Sequence, residues 1–161
     1  MAETVHLTLL ANGVQIEGDS RQTTLGRENT IECLAFEATG TAPQSAGGAS
    51  GRRRYLPLRI VKPIDRATPG IAKAFTENQV IEGIFRFYRP NPNGDGTTQQ
   101  HFTVEIRQGR VASIRQLVPN LFDVAVADEP EREEVTFAFS TIVWTFEVGG
   151  ISHEDTWTAA N

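Results

Sequence analysis

The sequence predicts a mainly β protein that interrupts itself once for a short helix. Three observations carry this: several segments alternate apolar and polar residues with period two, the closing segment "EEVTFAFSTIVWTFEV" changes phase partway, and only "KPIDRATPGIAKAF" carries a capped helical spacing. With 161 residues, 39% hydrophobic and 22% charged, the chain has material for one domain, 1–161, around one substantial core.

The elements follow in order. Val5, Leu7 and Leu9 share one strand face, and Asn12-Gly13 supplies the left-handed backbone of a tight hairpin before Val14 and Ile16. Leu56, Leu58 and Ile60 alternate again. Thr68 reads as a helix cap and Pro69 as the first helical residue, whose missing N–H leaves no bond unmade. Asp65, just upstream, adds a second polar cap. Ile71, Ala74 and Phe75 then form one apolar stripe and Asn78 a stop, so a helix is expected over about 69–78. Phe85 and Phe87 on one side of "RPNPNGDGTTQ", and Phe102, Val104 and Ile106 on the other, make a second hairpin with a longer tip.

In the closing segment Val135, Phe137 and Phe139 occupy odd positions, whereas Ile142, Trp144, Phe146 and Val148 occupy even ones. A switch near Ser140 and Thr141 is the signature of a bulge or bend that lets one strand serve two sheets, as strands that close barrels do. Trp144, where the two phases meet, is expected to be buried, and its truncation to alanine to cost about 3–5 kcal/mol.

Two polar stretches stand apart. The first runs Thr41, Ala42, Pro43, Gln44, Ser45, Ala46, Gly47, Gly48, Ala49, Ser50, Gly51, Arg52, Arg53, Arg54. It has too little apolar area to offset its ordering entropy and is expected to be mobile in an isolated subunit, yet a loop of this length usually has a task. It is not a phosphate loop, because the glycine-lysine-serine/threonine ending is missing. The second, "ADEPEREE", gathers Asp128, Glu129, Glu131, Glu133 and Glu134, a candidate acidic surface complementary to the three arginines.

A formal net charge of -5 opposes general nucleic-acid binding, which needs a basic face. His6, His101 and His153 are scattered, and none has a metal-ligand spacing with another histidine or with Cys33. "NPNGDG" offers Asp95 alone as an acidic ligand, short of a calcium loop. No nucleophile turn is recognisable. The expectation is a protein with no catalytic, cofactor or metal site. The amino-terminal apolar run is too short for a membrane span and follows acidic Glu3, so neither membrane insertion nor a secretory signal is expected.

At "PIDRATPGIAKAF" the residues resemble the Asp-(Lys/Arg)-(Ala/Ser)-(Thr/Ser)-Pro helix start of the haemolysin-coregulated proteins, which form the inner tube of type VI secretion systems. The matching positions are Asp65, Thr68 and Pro69. The similarity continues in order through "GRENTIECLAFEATG", "SAGGASGRRRYLPLRIVKPI", "VIEGIFRFYRP", "HFTVEIRQGRVASIRQ" and the closing segment with its Ile-x-Trp and tryptophan-bearing tail. "TENQ" stands where many relatives carry a glycine-bearing turn, and "PNLFDVAVADEPEREE" is longer than the matching loop in many members. The resemblance implies a β-barrel of two packed antiparallel sheets with one short flanking α-helix and a long extended loop. It also implies six copies in a ring, with rings stacked head to tail into a hollow tube. The implied partners are the chain itself as a homohexamer, a spike protein at the tube tip, a contractile sheath around it and effector proteins in the lumen. The chain would be cytoplasmic before firing and then secreted through the machine. A phage-like tail-tube protein and a soluble ligand-binding barrel are the alternative readings.

Overall fold

The computed structural model describes residues 3–45, 47–49 and 51–157. β1 (Thr4–Ala11) and β2 (Val14–Ile16) form the expected hairpin, with Ala11 opposite Val14 and with Asn12 (φ 48°) and Gly13 (φ 79°) in the left-handed turn. β3 (Ile31–Cys33) and β4 (Ala35–Glu37) follow. Then come four two-residue strands: β5 (Gly40–Thr41), β6 (Gln44–Ser45), β7 (Gly48–Ala49) and β8 (Arg54–Tyr55). β9 (Leu58–Pro63) buries Leu58 and Ile60 as the alternation requires. Leu56 lies outside this strand, before Pro57, and is exposed.

The helix α1, the only one among the described residues, spans Thr68–Thr76, slightly ahead of its expected limits. Ala67, not Thr68, is the N-cap, and no side chain caps the first turn; the Thr68 hydroxyl is engaged elsewhere. The stop is as expected. Asn78 takes φ 50°, its N–H donates to Phe75 O and that of Gln79 to Ala74 O, the pairing by which a glycine normally ends a helix. Ile71 and Ala74 face the core, whereas Phe75 is exposed. Gly70 lets the helix approach β2, since a Cβ there would lie 2.8 Å from a methyl of Ile16.

β10 (Ile81–Pro90) and β11 (Thr98–Leu117) form the second hairpin, with Phe85 opposite Val104 and Phe87 opposite Phe102. β12 (Arg132–Ala138) and β13 (Thr141–Phe146) both pair with β11, end to end along one side of it. The phase change is therefore a break over Phe139 and Ser140, opposite Gln108, which has φ 51°. Val135, Phe137 and Phe139 are buried before it and Ile142 after it. Trp144 is only partly buried, because its ring lies against that of exposed His153 at 6.1 Å; the full cost expected for truncating it does not apply. Among the described residues β14 (Ile151–Thr156) pairs with β13 alone.

The sheet order β2-β1-β10-β11-β12-β9-β4 folds over at β11, and residues 31–37 pair with β1 through β3 and with β9 through β4. The result is the two-layered, barrel-like shell expected, with the helix on its flank. Its interior is filled by Leu7, Ile31, Ile60, Phe85, Ile106 and Phe137, each fully buried. The space a ligand-carrying barrel would keep for its cargo is packed with side chains.

Candidate functional site

The stretch 41–54 is an arm with structure of its own rather than a structureless loop. β5 pairs with β8, placing Gly40 opposite Tyr55 and Thr41 opposite Arg54, and β6 pairs with β7, placing Gln44 opposite Ala49. Backbone hydrogen bonds organise what composition alone could not, with Gly47 and Gly51 supplying positive φ. Ala46 and Ser50 lie outside the described residues.

The arm's stem is clamped to the last hairpin. Arg53 donates from Nε and Nη2 to the two Asp155 carboxylate oxygens at 2.7 and 2.6 Å, and the Tyr55 hydroxyl donates to the same carboxylate at 2.5 Å. The bidentate hydrogen bonds from Arg53, followed by that from Tyr55, hold Asp155 near a pKa of about 2. Tyr55 packs edge-on against Trp157, whose indole N–H donates to Phe139 O at 2.9 Å. Arg53 is thereby spoken for within its own chain. Arg52 and Arg54 are exposed and form no ion pair among the described residues.

The acidic stretch divides in the same way. Asp128 and Glu131 are exposed and unpaired among the described residues, Glu129 pairs with Arg132 at 2.8 Å, and Glu134 pairs with Arg59 and Arg115. Glu133 is not surface at all: it is fully buried, 3.3 Å from the equally buried Lys62. Around the Lys62 ammonium lie Asp65 Oδ1 at 2.9 Å, Pro63 O at 2.8 Å and Thr68 Oγ1 at 3.2 Å, and Thr68 donates to Glu133 Oε2 at 2.7 Å. Asp65 Oδ1 also accepts the Ala67 N–H at 3.0 Å, a bond within the turn ahead of the helix rather than the cap expected of it. The helix-start residues Asp65 and Thr68 are thus members of a buried ion cluster that fastens the helix to β9 and β12. Pro69 opens the first turn beside it.

The alternation of both strands contains this cluster. Lys62 continues the inward phase of Leu58 and Ile60, Glu133 that of Val135, Phe137 and Phe139, and the two are register partners. Charge put Glu133 in the expected acidic surface; phase marks it and Lys62 as inward.

A second buried polar group is His6, whose Nδ1 lies 3.0 Å from Thr30 Oγ1 and 3.3 Å from Ser20 Oγ. Thr30 donates its hydroxyl to Arg27 O and Ser20 its own to Gln22 O, so both oxygens accept from the imidazole, which is neutral with its proton on Nδ1. Burial lowers its pKa to about 4, against a smaller upward pull from Glu32. Burial likewise raises Cys33 to about 12, a thiol rather than a nucleophile. Neither group is aligned for catalysis. Among the described residues no cluster of three metal-ligating side chains occurs, and no helix is long and apolar enough to cross a membrane.

The chain has known relatives. The family model described as "Type VI secretion system effector, Hcp" matches residues 8–146. The major exported protein of Pseudomonas aeruginosa is 30% identical over 135 residues, covering 82% of this chain and 77% of that protein. The structure of a double mutant of the Hcp1 protein from E. coli EAEC 042 superposes with a TM-score of 0.84 at 26% identity, covering 98% of this chain and 100% of the other. The secreted protein Hcp3 from Pseudomonas aeruginosa shares the fold, with a TM-score of 0.77 at 19% identity over 98% of this chain and 100% of its own. The order of motifs from the helix start to the closing strands, the barrel-like shell with its projecting arm, and a family match over most of the length agree: the chain belongs to the haemolysin-coregulated protein (Hcp) family of the type VI secretion system.

Proposed function

We propose that this chain is a structural subunit of the secretion tube: six copies form a ring, rings stack head to tail, and the hollow product is exported and shelters effector proteins in its lumen. The carrying observation is the pair of open sheet edges. Among the described residues β2 pairs only with β1 and β14 only with β13, and Phe146, Val148 and Ile151 are exposed apolar residues around that second edge. Edges of this kind are covered when copies of a chain close on themselves. A spike protein at the tip, a contractile sheath outside and effectors inside are the partners this reading implies. Size exclusion with light scattering, and micrographs of the same peak, test it: six-membered rings are expected. A monomer at high concentration and moderate salt would overturn it.

The arm 41–54 is the stacking element in this reading. Arg52 and Arg54 supply its free positive charge, and Asp128 and Glu131 are the acidic groups left for them on the next ring. Exposed pairs contribute about 0–1 kcal/mol each and are screened by salt, so only their repetition around a ring makes them count. Arg52→Glu with Arg54→Glu is expected to leave rings intact and shorten tubes, and Asp128→Arg with Glu131→Arg to restore part of the length. Wild-type stacking by the arginine variant would sink the pairing.

A further inference from the structure

The loop between β11 and β12 carries an apolar tip that nothing among the described residues covers. Phe122 is 97% exposed, Val124 94% and Leu121 67%. Three such residues side by side are unusual on a surface and mark a contact. The tip has a fixed shape. Phe122 N–H donates to Asn120 Oδ1 and Ala125 N–H to Asp123 Oδ1, both at 3.0 Å, and the Asp123, Val126 and Glu129 N–H groups each reach the carbonyl three residues back. Successive turns of this kind lower the ordering cost of docking. Asp123 sits between the two most exposed apolar residues, with Asp128 and Glu131 following.

At the other end of β12 lies an open groove of about 340 Å³ lined by Tyr55, Leu56, Pro57, Ala138, Phe139 and Trp157. An apolar cavity of about 150 Å³ suffices for a benzene ring. Arg110 lines the groove, with its guanidinium donating only to the neighbouring Gly109 carbonyl among the described residues, and Arg52 and Arg54 precede Tyr55 along the chain. Tip and groove therefore match in character and oppose in charge. They cannot meet within one chain, because the strand between them is seven residues, or about 20 Å, long. Complementary patches at opposite ends of one subunit join copies head to tail.

We propose that the Leu121–Val124 tip of one copy docks in the Tyr55–Trp157 groove of a second copy, with Asp123 facing Arg110. This rests on the reading that copies of the chain stack, and it names a contact for that stack beyond the arm. The occupant is a second copy because the same chain carries both halves of the match.

Disulfide trapping tests it. In a Cys33→Ser background, which removes the chain's one cysteine, copies carrying Val124→Cys are mixed with copies carrying Ala138→Cys and mildly oxidised at tube-forming concentration. A linked dimer is expected in the mixture, well above the yield of either variant alone. Adding Phe122→Asp to the first copy should reduce it by about tenfold or more, with an unchanged circular dichroism spectrum because that residue is 97% exposed. No linkage in the mixture, or equal linkage from Val124→Cys alone, overturns the proposal. Light scattering on the same samples separates the two readings: rings without linkage would remove this contact and leave the ring, while linkage without rings would remove the ring and leave the contact.

Discussion

The molecule treats charge in two opposite ways, at the start of the helix and at the stem of the arm. Lys62 and Glu133 are closed off from water, Asp65 lies beside them with its side chain 8% exposed, and Thr68 and Pro63 O complete the bonding of the ammonium. Arg53 and Asp155 meet in the open, at better hydrogen-bond geometry. The shorter contact is the weaker support. Water and salt stand ready to replace a partner lost from the stem, whereas a charge stranded beside the helix has no substitute. The first site suits permanent structure, and the second a contact that can be exchanged at little cost.

The largest expected effect tests the closed site. Lys62→Met strands the Glu133 and Asp65 carboxylates and is expected to cost about 3–5 kcal/mol in denaturant unfolding, whereas Glu133→Ala leaves Lys62 its contact with Asp65 and should cost less. Lys62→Met with Glu133→Leu and Asp65→Asn should recover most of the Lys62→Met loss, since no ion of the cluster is then left without its partner. A triple variant as unstable as Lys62→Met would mean that the cluster works through shape rather than charge.

Next comes acid. The unfolded chain protonates His6 as pH falls through about 6.5 but the folded chain only near 4, so unfolding binds a proton across that window and stability falls with it. The loss should approach about 3 kcal/mol at pH 4 and shrink in His6→Asn, read from urea midpoints at both pH values. An unchanged slope in the variant would show that another group carries the acid response.

Trp144→Ala ranks third, at about 2 kcal/mol, below the 3–5 kcal/mol of a fully enclosed ring because its outer face meets exposed His153. Phe137→Ala, at a fully buried position, should cost more; the reverse order would place Trp144 deeper than its packing indicates.

The smallest effect belongs to the open clamp. Arg53→Ala should leave thermal melting almost unchanged at about 0.15 M salt. Asp155 is held at about 2 rather than 3.8, so the clamp's contribution is present above pH 4 and is lost only as pH falls through 2. A large melting shift at neutral pH would mean that the stem is as structural as the helix start.

How much of this was legible followed from how local each signal is. The Asn12-Gly13 turn, the Asn78 stop and the phase change after Phe139 depend on a few neighbouring residues, and all three hold. Thr68 as a cap did not, since its hydroxyl was recruited by Glu133 from 65 residues away. The clamp between Arg53 and Asp155 spans 102 positions and left no trace in either stretch. Glu133 was legible in principle, because the odd-numbered phase of its strand includes it, and was hidden by an acidic neighbourhood that reads as solvated surface.

β11 has one further consequence. Its 20 residues hydrogen-bond to β10 and β13 along the first half and to β12 along the second, so both layers of the shell hang from one continuous strand. Neither layer can peel away without exposing backbone that the other holds in place. Amide protons of β10, β12 and β13 should therefore exchange with solvent through one shared opening, at the rate of whole-subunit unfolding, while those of the arm exchange far sooner.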